Sequence, residues 1–292
     1  MRGMHEAALM NYAEALDIAR RVPTTPGDLT VTFEHLLLSL ERIGDVQKTL
    51  ERLDQSLASR TEAPEIARRI RVAAGDTPRA LRHLMLSLNR LGDIQRLRGK
   101  LDHALVNYTE SLDIARDIHT TTGDTPEALR ELANSLERIG VTHGARGLPA
   151  LALSSGVEAL ELHRRIHTDT GNAPQILSVL SSSLRRIGDT QRVLGQLDDA
   201  QAAYAESIEL AEQLLDDYGA TPRALGDLRT STTSAGDLLS HRGETAAALA
   251  FYRQAHLLDA RLRDQFDKPF WEPAVAADLD RRIAELTREE SR

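Results

Sequence analysis

One fixed period governs this chain. Gly75-Asp76-Thr77-Pro78 returns as Gly123-Asp124-Thr125-Pro126, a step of 48 residues (123 − 75). Variants stand one step away on either side: Gly27-Asp28-Leu29-Thr30, Gly171-Asn172-Ala173-Pro174 and Gly219-Ala220-Thr221-Pro222. A second marker keeps the same step. It reads Ser39-Leu40-Glu41-Arg42-Ile43-Gly44-Asp45, then Ser87-Leu88-Asn89-Arg90-Leu91-Gly92-Asp93, then Ser135 to Val141, then Ser183 to Asp189. A period of this size belongs to a repeat array, in which each unit buries its apolar face only against its neighbours.

Residues 75–122 show what one unit must be. Gly75 ends a preceding helix, and Thr77-Pro78 supplies an N-cap followed by proline at the first helical position. Leu81, Leu84, Met85, Leu88 and Leu91 then recur at helical spacing and mark one apolar face of a helix running to about Arg98. Gly99 breaks it. Leu101, Ala104, Leu105, Tyr108, Leu112 and Ile114 form the face of a second helix extending towards Ile118. Each unit is therefore expected to be a hairpin of two helices, roughly 20 residues apiece.

The order and spacing of Leu91-Gly92, Gly99, Leu101, Ala104, Tyr108, Ser111 and Leu112 resemble the tetratricopeptide repeat. The fit recurs at Ile187-Gly188, Gly195, Leu197, Ala200, Tyr204, Ser207 and Ile208, and partly at Gly236, Gly243, Ala248, Tyr252 and Ala255. The family's unit is about 34 residues; here the added residues make the Thr-Pro start and lengthen the first helix. A looser resemblance is to the long-repeat arrays of actinobacterial and cyanobacterial proteins. The resemblance implies an all-α, right-handed superhelical solenoid of antiparallel helix-turn-helix repeats. The expected organisation is a half unit at 1–26, full units at 27–74, 75–122, 123–170, 171–218 and 219–266, and a C-terminal capping helix within 267–292. Gly92 and Ala104 would let the paired helices approach, and Tyr108 would fill the wedge to the next unit.

The pattern fails in places. Gly3, Ala8, Tyr12, Ala15 and Leu16 match a second helix, so the chain opens mid-unit. Ala8, Leu9, Tyr12 and Leu16 are then expected to be uncovered, a patch that invites self-association. Glu51, Arg60 and Pro64 replace the expected Gly, Tyr and Leu. Proline inside a helix costs about 3 kcal/mol, so a kink or restart is expected near Thr61. Pro149 and Gly156 replace Leu and Tyr in the 123–170 unit, and loss of the wedge at Arg60 and Gly156 should loosen the stack. Phe270 and Trp271 are expected to plug the last apolar face.

Composition narrows the function. The net charge is −8 and no basic stripe is visible, so nucleic acid is a poor partner. There is no cysteine, which removes disulfide and thiolate chemistry. No apolar run approaches the roughly 18 residues of a membrane span, and a soluble, cytoplasmic protein is expected. Arginine far outnumbers lysine, which occurs only at positions 48, 100 and 268. That bias suggests a GC-rich bacterial genome. No phosphate-binding loop, paired-histidine zinc motif or nucleophile elbow occurs. His163 and His167 have metal-compatible spacing, but His119 stands one period before His167, which marks a helix-end position of the repeat. No enzyme, cofactor or metal is expected.

The recurring polar set is the best candidate site. In the resembled family the first helices line the concave groove. That alignment offers Glu41, Asp45 and Lys48; Asn89, Asp93 and Arg96; Glu137; and Arg185, Asp189 and Arg192, beside a column containing Arg42, Arg90, Arg138 and Arg186. The plainer alternative is a ladder of ion pairs between neighbouring helices, each worth tenths of a kcal/mol. As a site, the carboxylates would repel an acidic tail and prefer another protein or peptide of mixed or basic charge. The expected function is a non-catalytic interaction scaffold. The alternative is a regulatory arm of a larger or adjacent effector enzyme, of protease or nucleotide-signalling type.

Overall fold

A computed structural model describes residues 2–21, 29–266 and 272–290, and among these every regular element is an α-helix. In chain order they are α1 (Arg2–Arg21), α2 (Leu29–Thr49), α3 (Leu53–Ala74), α4 (Pro78–Leu97), α5 (Leu101–Thr122) and α6 (Pro126–Ala145). There follow α7 (Pro149–Thr170), α8 (Pro174–Val193), α9 (Leu197–Tyr218), α10 (Pro222–His241), α11 (Thr245–Gln265) and α12 (Pro273–Glu290). The fold is an all-α solenoid of paired antiparallel helix-turn-helix repeats. The chain divides into two compact units, Met1–Arg146 and Gly147–Arg292.

The markers work as local chemistry requires. The Thr77, Thr125 and Thr221 hydroxyls accept from the backbone N–H of Ala80, Ala128 and Ala224 at 3.3, 3.3 and 3.1 Å, and a proline follows each cap. At the hairpin turns Gly99, Gly147, Gly195 and Gly243 hold φ between +71° and +76°, a left-handed conformation that glycine adopts without steric cost. Glu51 occupies the same turn position with φ +60°. A non-glycine residue there costs about 1 kcal/mol, which the packing of α2 on α3 holds in place.

Two sequence expectations are corrected here. The helix does not restart at Thr61: α3 runs unbroken from Leu53 to Ala74 with Pro64 buried inside it. Thr61 sits within the helix, its hydroxyl donating to the Leu57 carbonyl at 2.8 Å. Packing against both α2 and α4 overrides the local cost of the missing N–H. In α1, Leu16 is buried and Ala8, Leu9 and Tyr12 are half-buried, while the large apolar residues left open are Met4, Met10 and Ile18. The α1 flank is tied down by Arg20 to Glu62 at 2.7 Å and by Glu6 to Arg52. Phe270 and Trp271 lie outside the described residues.

Each compact unit has two helix layers. In the second one, α9, α10 and α11 pack Ala200 and Tyr204 against Ala235 and Leu238, and α12 covers Tyr252 and Leu249 with Leu279 and Leu286. Salt bridges stitch successive second helices at a spacing of 42 residues: Arg20–Glu62, Arg68–Glu110 and Arg164–Glu206, at 2.7, 2.9 and 2.7 Å. These pairs are exposed and add only tenths of a kcal/mol each; they fix register more than they stabilise.

Candidate functional site

The Gly-Asp marker, which recurs on most first helices, has a physical role. In α4 and α5 the Tyr108 ring rests against Gly92, where an added Cβ would come within 2.6 Å of the ring. Its hydroxyl donates to Asp93 Oδ1 at 2.7 Å. Tyr204 repeats this on Gly188 and Asp189 at 2.8 Å, and Tyr252 on Gly236 and Asp237 at 2.7 Å. Glycine admits the ring and the next residue accepts its hydroxyl. Burial, the aspartate charge and the hydrogen bond together push the Tyr108 and Tyr204 phenols far above their ordinary range, with Arg96 and Arg192 opposing.

Arg60 fills this slot between α2 and α3, so no wedge is lost there, contrary to expectation. It is 3% exposed, its stem lies over Gly44, and Nη2 donates to Asp45 Oδ1 at 2.5 Å. Its Nε and Nη1 find no hydrogen-bond partner among the described residues. A buried ion pair with unsatisfied donors is a poor stabiliser. Arg60→Tyr, which restores the ring, is therefore expected to raise stability by about 1–2 kcal/mol, read from urea unfolding. A neutral or destabilising result would show that the pocket has adapted to the guanidinium.

The sequence-derived site residues lie on the first helices, and most are engaged with one another. Glu41 is half-buried, accepting from Arg90 and from the Ser87 hydroxyl at 3.1 Å. Arg90 also reaches Asp45 at 3.7 Å. Asp93 accepts from Arg138 at 3.3 Å as well as from Tyr108. Arg185 pairs with Asp189 at 2.7 Å, and Arg186 donates to Ser183 at 3.3 Å. Arg96 and Arg192 sit beside the tyrosine hydroxyls. Glu137 is half-buried, Lys48 and Arg42 are exposed, and Asn89 is buried with no partner for its side-chain oxygen. The carboxylates thus anchor tyrosines and arginines and do not form a free acidic column. Arg282 of α12 extends the arginine column, pairing with Asp237 and lying 5.5 Å over the Tyr252 ring.

The charge-based reading missed two residues on the same helix stripe. Leu38 and Leu86, one period apart, are 54% and 45% exposed. Each stands four residues before a column arginine, Arg42 and Arg90, and seven before an aspartate, Asp45 and Asp93, which places them on one face. Their signal was the column itself, which reads Leu, Leu, Asn134, Ser182, Thr230.

Two histidines, His119 and His167, close helix ends. His119 Nε2 meets Asp124 at 2.6 Å and His167 Nε2 meets Asn172 at 2.8 Å, as Arg71 meets Asp76 at 2.5 Å one unit earlier. Among the described residues no group of three or more His, Cys, Asp or Glu side chains could hold a metal ion. No described helix is long and apolar enough to cross a membrane.

No protein-family model matches the chain, and no curated protein matches it. Solved structures do. BtubC (BKLC) from P. vanneervenii superposes with a TM-score of 0.68 at 17% identity, covering 91% of this chain and 94% of its own. The apo form of RapI gives 0.57 at 13% identity over 98% and 93%. A Podospora anserina putative kinesin light chain with nearly identical TPR-like repeats gives 0.54 at 14% over 78% and 97%. At these identities the likeness shows the fold alone, a TPR-like helical repeat.

Proposed function

We propose that the chain is a non-catalytic scaffold that holds a peptide or partner helix against its first helices. The TPR-like fold is one generally used for binding proteins and peptides. The observation that carries the reading for this chain is the exposed pair Leu38 and Leu86 set beside Arg42, Arg90 and Lys48 on α2 and α4. Apolar side chains left open between arginines offer a surface for an amphipathic segment. The preference for a basic ligand rested on free aspartates. With Asp45, Asp93 and Asp189 engaged, the segment that fits is one of mixed charge.

The test is a double variant, Leu38→Glu with Leu86→Glu. Both residues are exposed, so stability should shift by no more than about 0.5 kcal/mol per site. A partner recovered from the native host by crosslinking and mass spectrometry should bind the variant about tenfold or more weakly. Undiminished binding would place recognition elsewhere on the molecule.

A further inference from the structure

One step of the second-helix layer departs from all the others at five aligned positions. Arg68, Arg116 and Arg164 are followed in register by Glu212. Glu62, Glu110, Glu158 and Glu206 are followed by Gln254. Arg71, His119 and His167, which close helix ends, are followed by Leu215, and their partners Asp76, Asp124 and Asn172 by Ala220. Glu65, Asp113, Glu161 and Glu209 are followed by Leu257. The rung that Arg164 and Glu206 make between α7 and α9 at 2.7 Å has no ionic counterpart between Glu212 and Gln254.

The structure shows what replaces it. A cleft of about 720 Å³ opens between α9 and α11 over α10. Leu215, Leu228 and Leu258 line its floor, and Leu257 stands at its edge 65% exposed. Glu212, Asp216 and Asp264 rim it against the single Arg261. Leu215 and Ala220 pack with Phe266 against the core of Leu225, Leu228, Leu258 and Leu262, which replaces the helix-end clamp. Leu257, exposed at a position that is acidic in every preceding second helix, has no such use in the core.

We propose that this cleft docks a helix of a partner protein bearing leucine-type side chains flanked by lysine or arginine. The apolar floor takes the leucines and the acidic rim takes the cations. On α11 the lining runs from Gln254 to Asp264, a separation of ten residue steps (264 − 254) or about 15 Å of helix, which matches about three turns of a partner. This surface lies between the second helices α9 and α11 of the Gly147–Arg292 unit, whereas Leu38 and Leu86 stand on first helices of the Met1–Arg146 unit.

The probe is a fluorescein-labelled amphipathic peptide of leucine and lysine, about four helical turns long, titrated against the full chain by anisotropy. Its leucine–glutamate counterpart is the control. The lysine peptide should bind and the glutamate peptide should not. Leu257→Glu restores the residue type of every other step and also adds negative charge. It should weaken lysine-peptide binding by about tenfold, whereas adventitious attraction to an acidic protein would be strengthened by it. Glu212→Arg with Gln254→Glu, which rebuilds the rung, should weaken binding likewise, and Leu86→Glu should leave it unchanged. Binding unaffected or enhanced by Leu257→Glu overturns the proposal. So does wild-type self-association, seen by sedimentation without peptide and abolished by Leu257→Glu, because the occupant would then be a second copy of this chain.

Discussion

Tyr108→Ala and Tyr204→Ala will each lower stability by about 3–5 kcal/mol, the range for truncating a fully buried aromatic. Both rings are essentially inaccessible, each resting on a glycine of its own hairpin, and Tyr204 also packs on Ala235 and Leu238 of the following first helix. One truncation therefore opens a cavity at two packing surfaces. Tyr→Phe at the same positions keeps the ring and removes only the hydroxyl, leaving an aspartate short of one donor, and should cost about 1–2 kcal/mol. Tyr218 is 45% exposed and donates to the Asn172 carbonyl at 2.7 Å; its truncation should cost about 1 kcal/mol. Urea unfolding of the three alanine variants checks the order. Equal effects would mean that the slot is not what joins these repeats.

The same slot has a pH signature. The Tyr108 and Tyr204 phenols are raised in the folded state, chiefly by burial. A group whose folded pKa exceeds its unfolded value contributes stability that is complete below the unfolded pKa, about 10 for tyrosine. That contribution is lost as pH climbs above it. Unfolding free energy should thus fall through the alkaline range, and less steeply in the Tyr→Phe variants.

The helical hairpins and their capped starts were legible because they depend on local chemistry. Thr77, Pro78 and Gly99 act within a few residues of themselves, and period does the rest. What the sequence reading misjudged were contacts between helices. Asp93 and Asp189 looked like a ligand-facing column because their tyrosine partners stand 15 residues away, on another helix. The repeats nonetheless contain the answer, since units of one chain can be compared with each other. Asp45, Asp93, Asp189 and Asp237 have Arg60, Tyr108, Tyr204 and Tyr252 at that spacing, and where the aspartate becomes Val141 the tyrosine becomes Gly156. A second pairing behaves alike at a spacing of 44. Arg98, Arg146 and Arg242 bind Asp54, Asp102 and Asp198; where the arginine is Leu194 the acid is Ala150, and where it is Leu50 the acid stays as Glu6 and takes Arg52 instead. Partners that disappear together report contact without any second sequence. Pro64 stayed illegible for the opposite reason. Its local cost is real, but the neighbours that outweigh it lie on α2 and α4, outside its own helix and beyond the reach of propensity.

Charge reversal at Asp93 and Asp189 separates a structural carboxylate from a recognition one. Were these side chains free to meet a ligand, Asp93→Arg would leave the fold intact, as surface substitutions do within about 0.5 kcal/mol. In the structure Asp93 accepts the Tyr108 hydroxyl and Arg138, and Asp189 accepts Tyr204 and Arg185. Reversal strips a buried hydroxyl of its acceptor and sets a third cation beside Arg96 and Arg138, or beside Arg192 and Arg185. The expected cost is about 2–3 kcal/mol per site, mostly from the orphaned hydroxyl. Two companions make the cause readable. Asp93→Asn keeps an acceptor oxygen and should retain most of the stability. Asp93→Arg combined with Tyr108→Phe removes the hydroxyl that needed the acceptor, so the two effects should fall short of additivity by about 1 kcal/mol. Full additivity, or an Asp93→Arg variant that unfolds in urea like the wild type, would return these aspartates to the solvent and to the ligand.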